Sequence, residues 1–144
     1  MKCNKLALYL HLVWATWDRL PLIEPAIERR LHRNIESQVR KLDCTVLAVN
    51  GTLDHIHLLV SFPTTVTIAG LLKQIKGVSS HFVNEVLPSD VQFRWQRGYG
   101  AFTVSRWDLP RVIDYVKRQK EHHMVGGLQS ELEETFESIE AMDG

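Results

Sequence analysis

The stretch Asp54-His55-Ile56-His57-Leu58-Leu59-Val60-Ser61-Phe62 decides how the rest of the chain must be arranged. In an extended strand successive side chains point to opposite faces, so His55 and His57 project together while Ile56 and Leu58 face the other way. Two imidazoles on one rigid face form half of a coordination site for a divalent metal, because neutral imidazole suits several transition metals and tolerates Mg or Mn. Two half-exposed histidines bonded to solvent would show the same spacing. The pair therefore gains weight from a second stretch, Asp114-Tyr115-Val116-Lys117-Arg118-Gln119.

Immediately before the histidines, Cys44 to Val49 is rich in Val, Leu and Thr and reads as a strand, and Asn50-Gly51 is a tight-turn signal that joins the two into a hairpin. Further upstream, Leu6 to Trp17 alternates loosely, with Leu6, Leu8, Leu10, Leu12 and Trp14 on one face and Tyr9, His11 and Val13 on the other, as a long central strand would. From Glu24 the apolar positions Ile27, Leu31, Ile35, Val39 and Leu42 recur every three or four residues and predict an amphipathic helix whose arginines form a solvated face.

Downstream, Pro63 ends the histidine strand. A second helix runs from about Thr67 with Ile68, Leu71, Leu72, Ile75, Val78, Phe82 and Val86 as its apolar face, until Pro88 stops it. Gln92 to Ser105 is strand-like with an Arg97-Gly98 interruption. Asp108 with Pro110 opens a third helix through about His123, and Gly126-Gly127 separates it from a short acidic amphipathic helix over 128–144. Strand, helix, strand, strand, helix, strand is an α+β order. It predicts a ferredoxin-like βαββαβ antiparallel sheet with helices on one face, the histidine strand in its middle and C-terminal helices carrying Tyr115, all within one domain spanning 1–144.

At 144 residues, 44% apolar and 24% charged, the chain suits one ordinary domain with a real core. Two cysteines, Cys3 and Cys44, are too few for a disulfide framework or a thiolate metal site, and with no segment resembling a signal peptide or membrane span they predict a reduced, cytoplasmic protein. The net charge of zero is a cancellation between regions. Seventeen bases against eleven acids leave residues 1–123 at +6, while the remainder holds six acids and no base. A basic body with an acidic tail is compatible with a polyanionic partner.

Lys73 and Lys76, on the polar side of the second helix, could touch phosphates, although each taken alone reads more simply as ordinary surface. Arg94, Arg97 and Arg106 alternate with Phe93, Trp95, Tyr99 and Phe102, a mixture that can stack unpaired bases and grip a backbone, or line a sheet core. In the third helix Arg111, Tyr115 and Gln119 follow one another at intervals of four and form one stripe, flanked by Lys117 and Arg118. One reading makes Tyr115 a half-buried packing residue and Gln119 a surface amide. The other makes Gln119 a carbonyl-oxygen metal ligand and Tyr115 a nucleophile that keeps the energy of a phosphodiester in a phosphotyrosine.

Asp54-His55-Ile56-His57-Leu58-Leu59, Trp95-Gln96-Arg97-Gly98-Tyr99-Gly100-Ala101-Phe102-Thr103-Val104-Ser105 and Tyr115-Val116-Lys117-Arg118-Gln119 followed by His122-His123 together resemble the IS200-like single-tyrosine (Y1) transposases of the HUH endonuclease superfamily. The likeness extends to Leu12-Val13-Trp14-Ala15-Thr16 and to Leu72-Lys73-Gln74-Ile75-Lys76-Gly77-Val78-Ser79-Ser80, so it covers about residues 8–123 in order. It implies His55, His57 and Gln119 as ligands of Mg²⁺ or Mn²⁺ and Tyr115 as the nucleophile, leaving a 5′-phosphotyrosine and a free 3′-hydroxyl. It also implies a homodimer acting on single-stranded DNA with hairpins near the element ends, and active sites that subunits can share. Lys73, Lys76, Arg94, Arg97, Arg106, Arg111, Lys117 and Arg118 would hold the DNA. The tyrosine motif favours the insertion-sequence branch over relatives associated with repetitive palindromes; a domesticated or inactive hairpin-binding relative is the alternative.

Overall fold

The computed structural model describes residues 4–87 and 91–119. Cys3, Pro88, the part of the third helix expected beyond 119, the Gly126-Gly127 break and the acidic helix over 128–144 lie outside them. The elements are β1 (Tyr9–Ala15), α1 (Pro25–Lys41), β2 (Thr45–Gly51), β3 (His55–Ser61), α2 (Ile68–Val86), β4 (Gly100–Val104) and α3 (Leu109–Lys117), with a single 3₁₀ turn, Trp17–Arg19, after β1. The strands form one antiparallel sheet in the order β2-β3-β1-β4, which puts the histidine strand inside the sheet as expected.

Amphipathic spacing makes α1 and α2 and seats both on the same face. Leu31, Ile35 and Val39 of α1 and Leu71, Leu72 and Ile75 of α2 close over Leu12 and Trp14 of β1 and Ile56, Leu58 and Val60 of β3. Pro25 stands in the first turn of α1, where its missing N–H costs nothing, and the Thr67 side chain caps α2 by accepting from the Gly70 N–H at 3.0 Å. The opposite face is covered as well, by α3, whose Val112, Tyr115 and Val116 pack on Ala48 of β2 and Leu59 of β3. Burial on both faces explains why six of the seven residues of β3 are buried whichever way they point.

Three local expectations are corrected. The hairpin turn is not at Asn50-Gly51: both stay in β2, opposite His57 and Ile56, and the chain reverses over 52–54 with the Thr52 N–H donating to the His55 carbonyl at 3.0 Å. Gly51 is there for close approach instead, since a Cβ at that position would stand 2.1 Å from the His55 carbonyl oxygen. The first strand begins at Tyr9, leaving Leu6 and Leu8 exposed.

The third correction concerns Gln92 to Ser105, of which only Gly100–Val104 is strand. The part before Gly98, a glycine at φ 83°, is held by side chains and single bridges. Asn84 of α2 pairs with the backbone of Phe93 through its amide, at 2.8 and 3.0 Å, and Trp95 bridges to Thr16. Finally, β2 carries a bulge. Val46 pairs with Val60 but Ala48 pairs with Leu59, so Leu47 is the extra residue and everything after it changes face, bringing Ala48 and Asn50 round to the α3 side.

Candidate active site

The strand register sets the floor of the site. On the face beneath α3, β3 presents His55, His57 and Leu59, and β1 presents Ala15, Val13 and His11 directly opposite them. His55 and His57 meet edge to face with ring centroids 5.0 Å apart, and His11 stacks on His57 at 5.0 Å. None of the three is half-exposed: His11 and His55 keep 1% of their surface and His57 none.

Each histidine of the pair is held by its Nδ1. For His55 the nearest partner is the Asp54 carboxylate at 2.8 Å, with Thr52 Oγ1 at 2.9 Å and Arg19 Nη2 at 3.4 Å from the same nitrogen; the carboxylate also accepts from Thr52 Oγ1 at 3.1 Å and from Arg19 at 3.1 Å. Burial alone would raise the Asp54 carboxyl, but the hydrogen bonds from His55 and Arg19 and the Arg19 charge overcome it and hold the group well below the usual carboxylate range. An ionised carboxylate can only accept, which favours the tautomer in which His55 donates from Nδ1 and keeps its lone pair on Nε2. Arg19 is delivered by a strained loop, in which Asp18 and Arg19 both adopt positive φ, 53° and 51°. For His57 the Nδ1 partner is His11 Nε2, at 2.8 Å.

Above this floor, α3 brings the Tyr115 ring edge-on to His57, centroids 5.8 Å apart. Tyr115 and Gln119 are both fully buried, which overturns the reading of the first as half-buried and of the second as a surface amide. Arg111 does not belong to their stripe; it is exposed, and the buried side of the helix is Val112, Tyr115 and Val116. Regular helix ends at Lys117, and the Asn50 side chain fastens that end by donating to the Lys117 carbonyl at 2.8 Å. Among the described residues no three His, Cys, Asp or Glu side chains converge as a metal cluster. The donor set nonetheless fits a divalent ion: two imidazoles on one face, each of which could give a ring nitrogen, with the buried amide of Gln119 able to add a carbonyl oxygen.

The basic residues divide into two groups. Lys76, Arg94 and Arg97 line one groove between α2 and the 92–97 segment, together with Ser80 and Asn84. Lys76 is spoken for there, its Nζ donating to the Gln96 and Gly98 carbonyls at 2.7 and 2.9 Å, whereas Arg94 stacks over Trp17 at 4.2 Å and Arg97 is exposed. Lys73 is exposed one turn earlier on α2. Arg106, stacked on Trp107 at 4.4 Å, stands with Arg111, Lys117 and Arg118 along the exposed side of α3 and its approach, and Arg118 also pairs with Asp114 at 3.7 Å. Sequence reading missed His11, Asp54, Arg19 and Thr52 as parts of the site. A polar residue amid the apolar run of β1, and an acid directly before the first histidine, were the available signals.

Comparison with known proteins agrees with this geometry. Residues 4–119 match the family described as "Transposase IS200 like". The transposase for insertion sequence element IS200 of Salmonella typhimurium (strain LT2) is 30% identical over 104 residues, covering 65% of this chain and 67% of that protein, and the Salmonella typhi transposase of the same element matches equally. The fold is shared with a protein of Deinococcus radiodurans R1 provisionally described as a transposase (TM-score 0.62, 22% identity, 83% of this chain and 98% of that one). It is also shared with a REP-associated tyrosine transposase solved bound to a REP hairpin (TM-score 0.63, 14% identity, 85% of this chain and 74% of that one). With a family match across most of its length, two paired histidines on an inner strand and a tyrosine helix laid over them, the chain belongs to the IS200-like transposases.

Proposed function

We propose that the chain is a divalent-metal-dependent endonuclease and strand transferase for single-stranded DNA, with Tyr115 as nucleophile and His55, His57 and Gln119 as metal ligands. The observation that carries this reading is the Tyr115 ring against His57, on the one sheet face that holds both histidines. The Tyr115 oxygen attacks phosphorus, the bond to the 3′ oxygen breaks, the phenol gives up its proton and the departing 3′ oxygen takes one. The products are a 5′-phosphotyrosine and a 3′-hydroxyl, and the reverse reaction rejoins a strand with no other energy source. A phenol with a pKa near 10 is ionised in only about one molecule in a thousand at neutral pH, so the reaction needs help. A divalent ion at the histidines would supply it by polarising a phosphoryl oxygen and orienting the bond for in-line attack.

Tyr115 is fully buried beneath α3, so a strand gains access when that helix separates from β2 and β3. Shared sites in a homodimer, as the family resemblance implies, fit a helix that must leave its own sheet. Hairpins as the bound form are supported by the REP hairpin on the structurally similar transposase. Lys73, Arg94, Arg97, Arg106, Arg111, Lys117 and Arg118 would meet the phosphates.

Tyr115→Phe tests the proposal. The ring and its packing stay while one oxygen goes, so the variant should fold and bind a hairpin oligonucleotide yet form no covalent protein–DNA adduct in Mn²⁺ or Mg²⁺. An adduct of undiminished yield would move the nucleophile elsewhere.

A further inference from the structure

We infer that His11 is a positioning residue that fixes the tautomer of His57, and so decides whether His57 can offer its Nε2 to a metal. The inference rests on the reading of His57 as a ligand and adds a residue to that site. A neutral imidazole carries one proton, and which nitrogen bears it is set by what the other ring meets. At His55 the nearest group to Nδ1 is an acid: Asp54, at 2.8 Å, can only accept when ionised and so favours the tautomer with its lone pair on Nε2. At His57 the same position is filled by a second imidazole, His11 Nε2 at 2.8 Å, which can either accept or donate.

The two alternatives have opposite consequences. If His57 donates from Nδ1, its Nε2 carries a lone pair and His11 holds its own proton on Nδ1. If His11 donates, His57 is protonated on Nε2 and cannot coordinate. His11 and His57 are diagonal neighbours on the same sheet face, since His11 pairs with Leu59 and Val13 with His57, and they stack at 5.0 Å with planes 24° apart. Both rings are buried, 1% and 0% exposed, so solvent does not average the choice. The histidine pair is thus clamped twice from behind, by an acid on one ring and by a β1 histidine on the other. Partners of this kind commonly change metal affinity by 10- to 100-fold.

Long-range proton–nitrogen NMR correlations of the imidazole rings in the full chain at neutral pH read the tautomer directly, and Mn²⁺ titration reads its consequence without any turnover. The unaltered protein should show His57 protonated on Nδ1. His11→Phe keeps a ring of similar size and removes the acceptor; Mn²⁺ affinity should fall on the order of 10- to 100-fold. In His11→Gln the amide oxygen can accept in place of Nε2, and affinity should stay within about threefold of the parent. A His57 protonated on Nε2 in the unaltered protein overturns the inference without recourse to any variant. Tight Mn²⁺ binding indifferent to a folded His11→Phe overturns it alone, whereas a parent protein that binds no Mn²⁺ overturns the metal reading beneath it.

Discussion

Replacing Gly51 by alanine should damage the site from outside it. The added Cβ would stand 2.1 Å from the His55 carbonyl oxygen, and ordinary contact begins at 3.4 Å, so backbone must move by about 1.3 Å. No flexible side chain can yield, because the obstructing atoms are the backbone of His55 and Ile56. The same carbonyl accepts the Thr52 N–H that closes the hairpin turn, so the shift also loosens a bond whose net worth is about 1 kcal/mol. Overpacking adds about 1–3 kcal/mol, against a gain of about 0.4–1 kcal/mol from the stiffer unfolded chain. The balance is a loss of about 2 kcal/mol, which at a urea dependence of about 1.5 kcal/mol/M lowers the unfolding midpoint by somewhat more than 1 M. Displacing His55 should also weaken Mn²⁺ binding. A Gly51→Ala protein with an unchanged midpoint and unchanged Mn²⁺ affinity would refute the reasoning, since both effects follow from one contact.

At the proposed metal site, His55→Ala or His57→Ala should abolish cleavage, while Gln119→Ala should be milder because water can fill the third position; full cleavage by the parent in excess chelator would sink the assignment. Lys76→Met should cost about 1–2 kcal/mol in urea unfolding through the lost Gln96 and Gly98 bonds, whereas Lys73→Met should leave stability alone and reduce the salt dependence of single-strand binding by about 0.7 in log–log slope. Burial, and then the Asp43 charge, push the Cys44 thiol up. In a Cys3→Ser background Cys44 should therefore react with thiol reagents far more slowly folded than in urea, and its contribution to stability, full below the unfolded thiol pKa of about 8.5, should fade as pH rises past it. Equal labelling rates in the two states would contradict that burial.

Much of the fold was legible because period-two and period-3.6 patterns survive in single stretches: α1, α2 and the histidine strand stand where their spacing puts them. What failed depended on partners far away in sequence. Asn50-Gly51 looks like a turn, but cross-strand pairing with Ile56 and His57 keeps it in β2, and the glycine answers a steric demand made by His55. Arg111 shares a spacing with Tyr115 but not a face, because the width of the buried stripe is set by Ala48 and Leu59 beneath it. Lys76 suits a phosphate contact by its sequence position, but that the loop at 96–98 hangs from it is visible only in the fold. The place of His11 beside His57 is fixed by the β1–β3 register, which no local pattern states.

The histidines His11, His55 and His57 lie in a sheet sealed by helices on both sides, in a layer where leucine would be at home. Replacing such a paired polar set wholesale by apolar residues of similar volume is commonly neutral or stabilising, but removing one member strands its partner and is costly. A gene copy released from selection for chemistry would therefore meet a barrier at its first substitution here and a downhill slope only after the second. Inactive descendants of this chain should have lost His11 and His57 together, or Asp54 and His55 together, more often than any one of them alone, and those that completed the change should be the more heat-resistant proteins.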